Sequence, residues 1–129
     1  MIDLGSKSER ERLSGSALKG FLNLAVTWGL TDEMAQELLG GISDSALAEW
    51  KERPDPRLDV DTITRISVLI GIDRALHILY GDKLATEWVA LPNSNAIFGG
   101  HAPLAYMLGQ GLTGMQTVRT LLEGRSAGV

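Results

Sequence analysis

Cysteine is absent from the 129 residues, so neither a disulfide framework nor a thiolate metal site can be built from them. Long apolar runs are missing too. The longest, about "ISVLIGI", falls far short of the ~20 residues of a membrane-spanning helix. The opening "MIDLGSKSERERLSGS" has no apolar core of the kind that marks a secretory signal. These absences lead us to expect a cytoplasmic protein that makes no use of a membrane. An excess of positive charge is also lacking, the formal net charge being −4. Affinity for nucleic acid comes largely from neutralising phosphates, so any DNA contact must come from a local patch, a dimer or a complex.

Histidine is scarce, with His77 and His101 the two in the chain. His77 falls on an amphipathic stretch and reads as a residue at the edge of a core. His101 follows Gly99-Gly100 and reads as a helix cap or a contact to a partner. No nucleophile stands at a suitable turn, and two histidines without acidic ligands at the right spacing make no metal motif. The expectation is a protein that is not an enzyme and carries no cofactor and no metal.

What is present is globular: 44% hydrophobic and 22% charged residues. The length suits one domain or two very small ones. Residues 1–13, where "SKSERERLS" alternates charge, read as a flexible arm. Leu18, Phe21, Leu22 and Ala25 then recur at helical spacing, predicting a helix from about Ser16 to Trp28. "TDEMAQELLGGISDSALAEWKE" reads as short helix, glycine turn, short helix, with Thr31 and Ser43 as N-caps. This spacing fits a helix-turn-helix, and it fits a generic helix hairpin as well. "RPDPRLD" is a loop marked by Pro54 and Pro56, and Asp59 is the cap of a fourth helix. Gly71 is read as the break between that helix and a fifth, "IDRALHILYG". A short helix, "DKLATEWVAL", ends at Pro92. No segment alternates with the period of a strand, so the fold class expected is all-α.

The C-terminal third lacks charge. From Leu84 to Leu122 only Glu87 and Arg119 are charged, where about nine would be expected at the chain's average. Here Phe98 stands alone between small and polar residues, as an aromatic that plugs a core does. Gly99 and Gly100 permit backbone turns closed to other residues. Pro103 suits the first turn of a helix. Gly109 and Gly111 read as its end, and Thr113 with Gln116 as a capping box for a last helix that Gly124 terminates. Two readings are open: a surface pressed against another protein, or a closed core dressed in Gly, Ser, Thr, Gln and Asn.

In the order Trp88, "LPN", "FGGHAP", Gly111, Val118-Arg119 and Leu122, the sequence resembles the antitoxins that join an Xre-like N-terminal domain to an MbcA/ParS-type toxin-binding C-terminal domain. The resemblance covers about residues 18–124. It implies an Xre-like helix-turn-helix domain over 14–80 and a toxin-binding domain over 81–129. It further implies a type II antitoxin whose partner is a RES-domain toxin that consumes NAD+ or transfers its ADP-ribose, inhibited by the C-terminal region lying over its active site. The toxin-binding residues so implied are Trp88, Asn95, Phe98, Gly99, Gly100, His101, Pro103, Met107, Arg119, Leu122, Glu123 and Arg125. For Arg119, pairing with a toxin carboxylate and capping its own fold are both open. The helix-turn-helix would bind operator DNA as a homodimer and repress the operon, through Ser43, Ser45, Glu49, Lys51 and Arg53. One departure bears on this: Asp44 and Glu49 occupy the half of the third helix that would face the bases, where carboxylates repel phosphate. DNA binding, or a helix-turn-helix kept for dimerisation, are the alternatives. A stand-alone transcriptional regulator is the competing function.

Overall fold

Three side-chain caps set the helix starts. The Thr31 hydroxyl accepts the Met34 N–H at 3.1 Å, the Ser43 hydroxyl accepts the Ala46 N–H at 3.1 Å, and the Asp59 carboxylate accepts the Thr62 N–H at 2.8 Å. Each satisfies one of the donors that a helix N-terminus leaves without a partner. The computed structural model describes residues 7–53 and 57–126. It is all-α: α1 (Lys7–Thr27), α2 (Asp32–Leu38), α3 (Asp44–Glu52), α4 (Val60–Glu87) and α5 (Pro103–Ser126), with 3-10 turns at Trp88–Ala90 and Ala96–Phe98. No strand occurs among the described residues. The expected turn at Pro54 and Pro56 lies outside them.

α4 is the central element and packs against both α1 and α5. One hydrophobic cluster joins Phe21 of α1, Leu38 of α2, Leu69 and Leu76 of α4, and Met107 and Leu122 of α5. α2 also packs on α5, so the α2–α3 segment is seated on the C-terminal part of the chain. Leu47, 3% exposed, is the buried residue of α3.

The structure corrects several boundaries. The stretch read as an arm is helical from Lys7 onward, and residues 1–6 lie outside the described region. Arg12 pairs with Glu9 at 2.6 Å across one helical turn, and Ser14 is fully buried with its hydroxyl accepting the Leu58 N–H at 3.0 Å. Gly71 is not a break. α4 runs through it, and the glycine is there for space: a Cβ at that position would stand 2.8 Å from the Arg119 guanidinium. Gly109 and Gly124 likewise lie inside α5.

The true breaks are at Gly81 (φ 76°, ψ 173°), which kinks α4, and Gly111 (φ 66°, ψ −148°), which kinks α5. That corner of backbone space is in practice open to glycine alone. Gly111 stands at the start of the final helical segment, and the Thr113 hydroxyl makes no hydrogen bond among the described residues. The proposed capping box is therefore not formed.

Candidate protein-binding face

The segment from Leu91 to Ala102 is held by its own backbone. Asn93 donates its N–H to the His101 carbonyl at 3.2 Å, and His101 donates to Phe98 at 2.9 Å. The Asn93 side chain accepts from the Asn95 N–H at 2.9 Å, and the Asn95 side chain accepts from the Ile97 N–H at 3.1 Å. Two asparagines, which readily bond to backbone two residues on, thus shape the turn into the second 3-10 segment. Gly99 (φ 57°) and Gly100 (φ 87°) then reverse the chain into Pro103, the first residue of α5.

Phe98 pins this loop from within. It is 2% exposed and meets Trp88 edge-on at 6.1 Å between ring centroids and Tyr106 edge-on at 5.4 Å. Trp88 in turn stacks on Tyr80 at 6.5 Å, and the Tyr80 hydroxyl accepts from Arg125 at 2.8 Å. A spine of four rings therefore ties α4, the first 3-10 turn, the loop and α5 together. Edge-to-face pairs of this kind contribute about 0.5–1.5 kcal/mol each beyond their buried area.

The residues implied for toxin binding separate into two groups. Trp88, Phe98, Pro103, Met107 and Leu122 are buried in the chain's own core, where they shape the surface rather than form it. Gly99, Gly100, His101 and Glu123 are exposed, and Asn95, Arg119 and Arg125 are half-buried. Arg119 donates to Glu123 at 2.6 Å, and Arg125 is held by Tyr80, so both guanidiniums already have partners within the chain. The His101 side chain forms no hydrogen bond among the described residues and does not cap α5.

Two residues not assigned to the site from the sequence complete the face: Leu91, 45% exposed, and Ile97, 39% exposed. A signal was available for Ile97. In a single 3-10 turn two adjacent bulky residues cannot both point inward, and the ring of Phe98 takes the inner place. The other exposed residues between Ala90 and Gln110 are Ala90, Pro92, Ser94, Ala96, Gly99, Gly100, His101, Ala105, Gly109 and Gln110, none carrying a fixed charge.

On the α2–α3 segment, Ser43, Ser45, Glu49, Lys51 and Arg53 are all exposed. Ser43 spends its hydroxyl on the cap and meets Ser45 at 3.2 Å, and Lys51 is paired with Asp32. Gln36 donates to the Ile42 carbonyl at 3.0 Å and to Asp44 at 2.8 Å, fixing the turn between the helices.

His77 sits beside the Gly81 kink. Its Nδ1 lies 2.8 Å from Asp82, beyond the kink, and its Nε2 lies 3.3 Å from Asp73, one turn before. Its pKa is raised above 6.5, first by the hydrogen bond to Asp82, against the opposing effect of burial, and then by the charges of Asp73 and Asp82. A protonated ring donates at both nitrogens, whereas a neutral one donates at a single nitrogen. Among the described residues no group of three or more His, Cys, Asp or Glu is placed to hold a metal ion, and no helix is long and apolar enough to cross a membrane.

The comparisons with known proteins fall on this architecture. Residues 75–128 match the antitoxin Xre/MbcA/ParS C-terminal toxin-binding domain. That span takes in the Gly81 kink, the aromatic spine, the self-bonded loop and α5. The uncharacterized protein y4oB of Sinorhizobium fredii (strain NBRC 101917 / NGR234) is 30% identical over 112 residues, which cover 86% of this chain and 84% of that protein. The likeness thus extends well in front of the matched domain, and the chain belongs to the Xre/MbcA/ParS family of toxin-binding antitoxins.

Proposed function

We propose that this protein neutralises an NAD-consuming RES-domain toxin by laying the Leu91–Gln110 face and the end of α5 over the toxin's active site. It is an inhibitor by contact and not itself an enzyme, and it acts in the cytoplasm without a cofactor. The observation that carries this reading is the uncharged, partly apolar surface of the loop, with Leu91 and Ile97 half exposed on a backbone that its own hydrogen bonds hold rigid. Interface centres are depleted of charge, and a preformed loop loses little entropy on docking. Gly99, Gly100, His101 and Asn95 are the proposed contacts. Trp88, Phe98, Pro103, Met107 and Leu122 hold them in place. Glu123, Arg119 and Arg125 flank the face.

The α2–α3 pair is proposed as the helix-turn-helix of an Xre-like unit over residues 14–80, serving a homodimer on operator DNA in an autorepressing complex. The exposed Ser45 and Arg53 support base or phosphate contact. Asp44, Glu49 and the engagement of Lys51 by Asp32 weigh against a free-standing regulator.

Co-expression with the product of the neighbouring gene tests the proposal. Truncating residues 112–129 would be uninformative, because Met115, Val118 and Leu122 are fully buried and their loss would unfold the chain. Ile97→Asp with His101→Glu changes only the outer surface. The expected result is normal folding by circular dichroism with loss of growth rescue and of co-purification. Undiminished rescue by the folded double variant would remove the loop from the interface.

A further inference from the structure

A trough of about 490 Å³ lies between α1, α4 and α5, away from the Leu91–Gln110 loop. Its floor is one line of α4: Ile63, Ile66, Ile70 and Arg74, at successive spacings of three, four and four residues. Such a line is about 16 Å long at the rise of an α-helix. Leu13 of α1 is part of the facing wall, and Arg119 of α5 lies at the Arg74 end. The trough is thus largely apolar, with Ser16 and Ser67 on its walls, and cationic at one end.

That end is constructed rather than incidental. Gly71 has helical backbone angles and so is not required for a turn; its lack of a Cβ is what lets the Arg119 guanidinium lie against α4. Arg74 is exposed and forms no hydrogen bond or ion pair among the described residues, in a chain whose net charge is negative. Arg119 keeps one contact, to Glu123, itself more than half exposed. A guanidinium with no counter-ion among the described residues, beside a largely apolar channel, suits a carboxylate carried on an apolar body. A channel about three helical turns long, walled by helices, suits a further helix.

We propose that this trough receives an amphipathic helix of the partner toxin, its apolar face against the half-buried Leu13, Ala17 and Ile70, above the buried Ile63 and Ile66, and an Asp or Glu at the Arg74–Arg119 end. The inference rests on the reading that the chain binds a toxin. It adds that the interface extends beyond the toxin-binding domain of residues 75–128, onto α1 and the first half of α4. Arg119, inside that domain and at the mouth of the trough, links the two surfaces.

The test uses the full chain and the purified product of the neighbouring gene, with affinity measured by calorimetry. Ser67→Trp fills the trough from an exposed position, and Arg74→Glu reverses its charge. Each should weaken binding by about tenfold or more, the Arg74→Glu effect shrinking as salt is added, while Arg74→Lys stays near wild type. Wild-type affinity in both variants, with tight binding by the parent, would overturn the trough assignment and leave the proposed function standing. No binding by the parent would overturn both. If Ser67→Trp instead splits a dimer in sedimentation and leaves toxin affinity unchanged, a second copy fills the trough and the assignment to toxin fails.

Discussion

His77 links a single proton to the shape of the chain. Its two acidic neighbours stand on either side of the Gly81 kink, and both lie on α4; no charged group of α1 or α5 contributes to the shift. A raised pKa means that the folded state binds the proton more tightly than the unfolded one. The stabilisation is therefore complete below the ordinary value of 6.5 and is lost as pH rises through the raised folded value. Asp82→Asn removes the largest cause. In that variant the His77 ring signal, followed by NMR, should titrate at lower pH than in the parent, and thermal stability should fall less between pH 6.5 and 8. Equal titration midpoints in the two proteins would show that Asp82 does not hold the proton.

At this same scale the sequence was partly readable. Thr31, Ser43 and Asp59 could be recognised as caps because capping depends on a side chain and the three residues after it. Gly71 could not be recognised as a seat for Arg119. The two are 48 positions apart, and a glycine in a helical stretch looks alike whether it ends the helix or makes room for a neighbour.

Among the elements, α5 turns on Gly111. The φ of 66° with ψ of −148° lets two helical segments meet at an angle, so that Met107 before the kink and Met115, Val118 and Leu122 after it all enter one core. Gly114 supports the bend, because a Cβ there would come within 2.5 Å of the Gln110 Cβ. Gly111→Ala should cost about 1–3 kcal/mol, measured by urea denaturation, since alanine must take up a glycine-only conformation or straighten the helix. Stability equal to the parent would mean that α5 tolerates a continuous course. The all-α class and most helix spans were legible from apolar periodicity, a local property. Charge depletion between Leu84 and Leu122 was legible too, but its meaning was not. Trp88 and Phe98 contribute to it from the interior, while Leu91, Ile97 and the glycines contribute from the surface, and composition does not separate the two.

For the molecule as a whole, the relation between the α2–α3 segment and the toxin-binding domain decides how the two would communicate. Leu38 of α2 and Leu39 at its C-cap belong to the cluster that contains Met107 and Leu122 of α5, and α2 rests directly on α5. The core therefore crosses the position between residues 80 and 81 at which the sequence suggested a boundary. A shared core of this size predicts one cooperative unfolding transition and not two. The three tryptophans are placed to report it, Trp28 after α1, Trp50 in α3 and Trp88 in the toxin-binding domain. Variants that keep a single tryptophan, with phenylalanine at the other two positions, should unfold at a common denaturant midpoint, matching that of the helical signal. Toxin at a free concentration of 100 times its Kd should move all of these midpoints together, by a free energy of about 2.7 kcal/mol. A Trp50 transition that separates from the Trp88 transition, or that toxin leaves in place, would show the two parts to be independent units, and occupancy of the toxin face could then have no effect on the helix pair proposed to meet DNA.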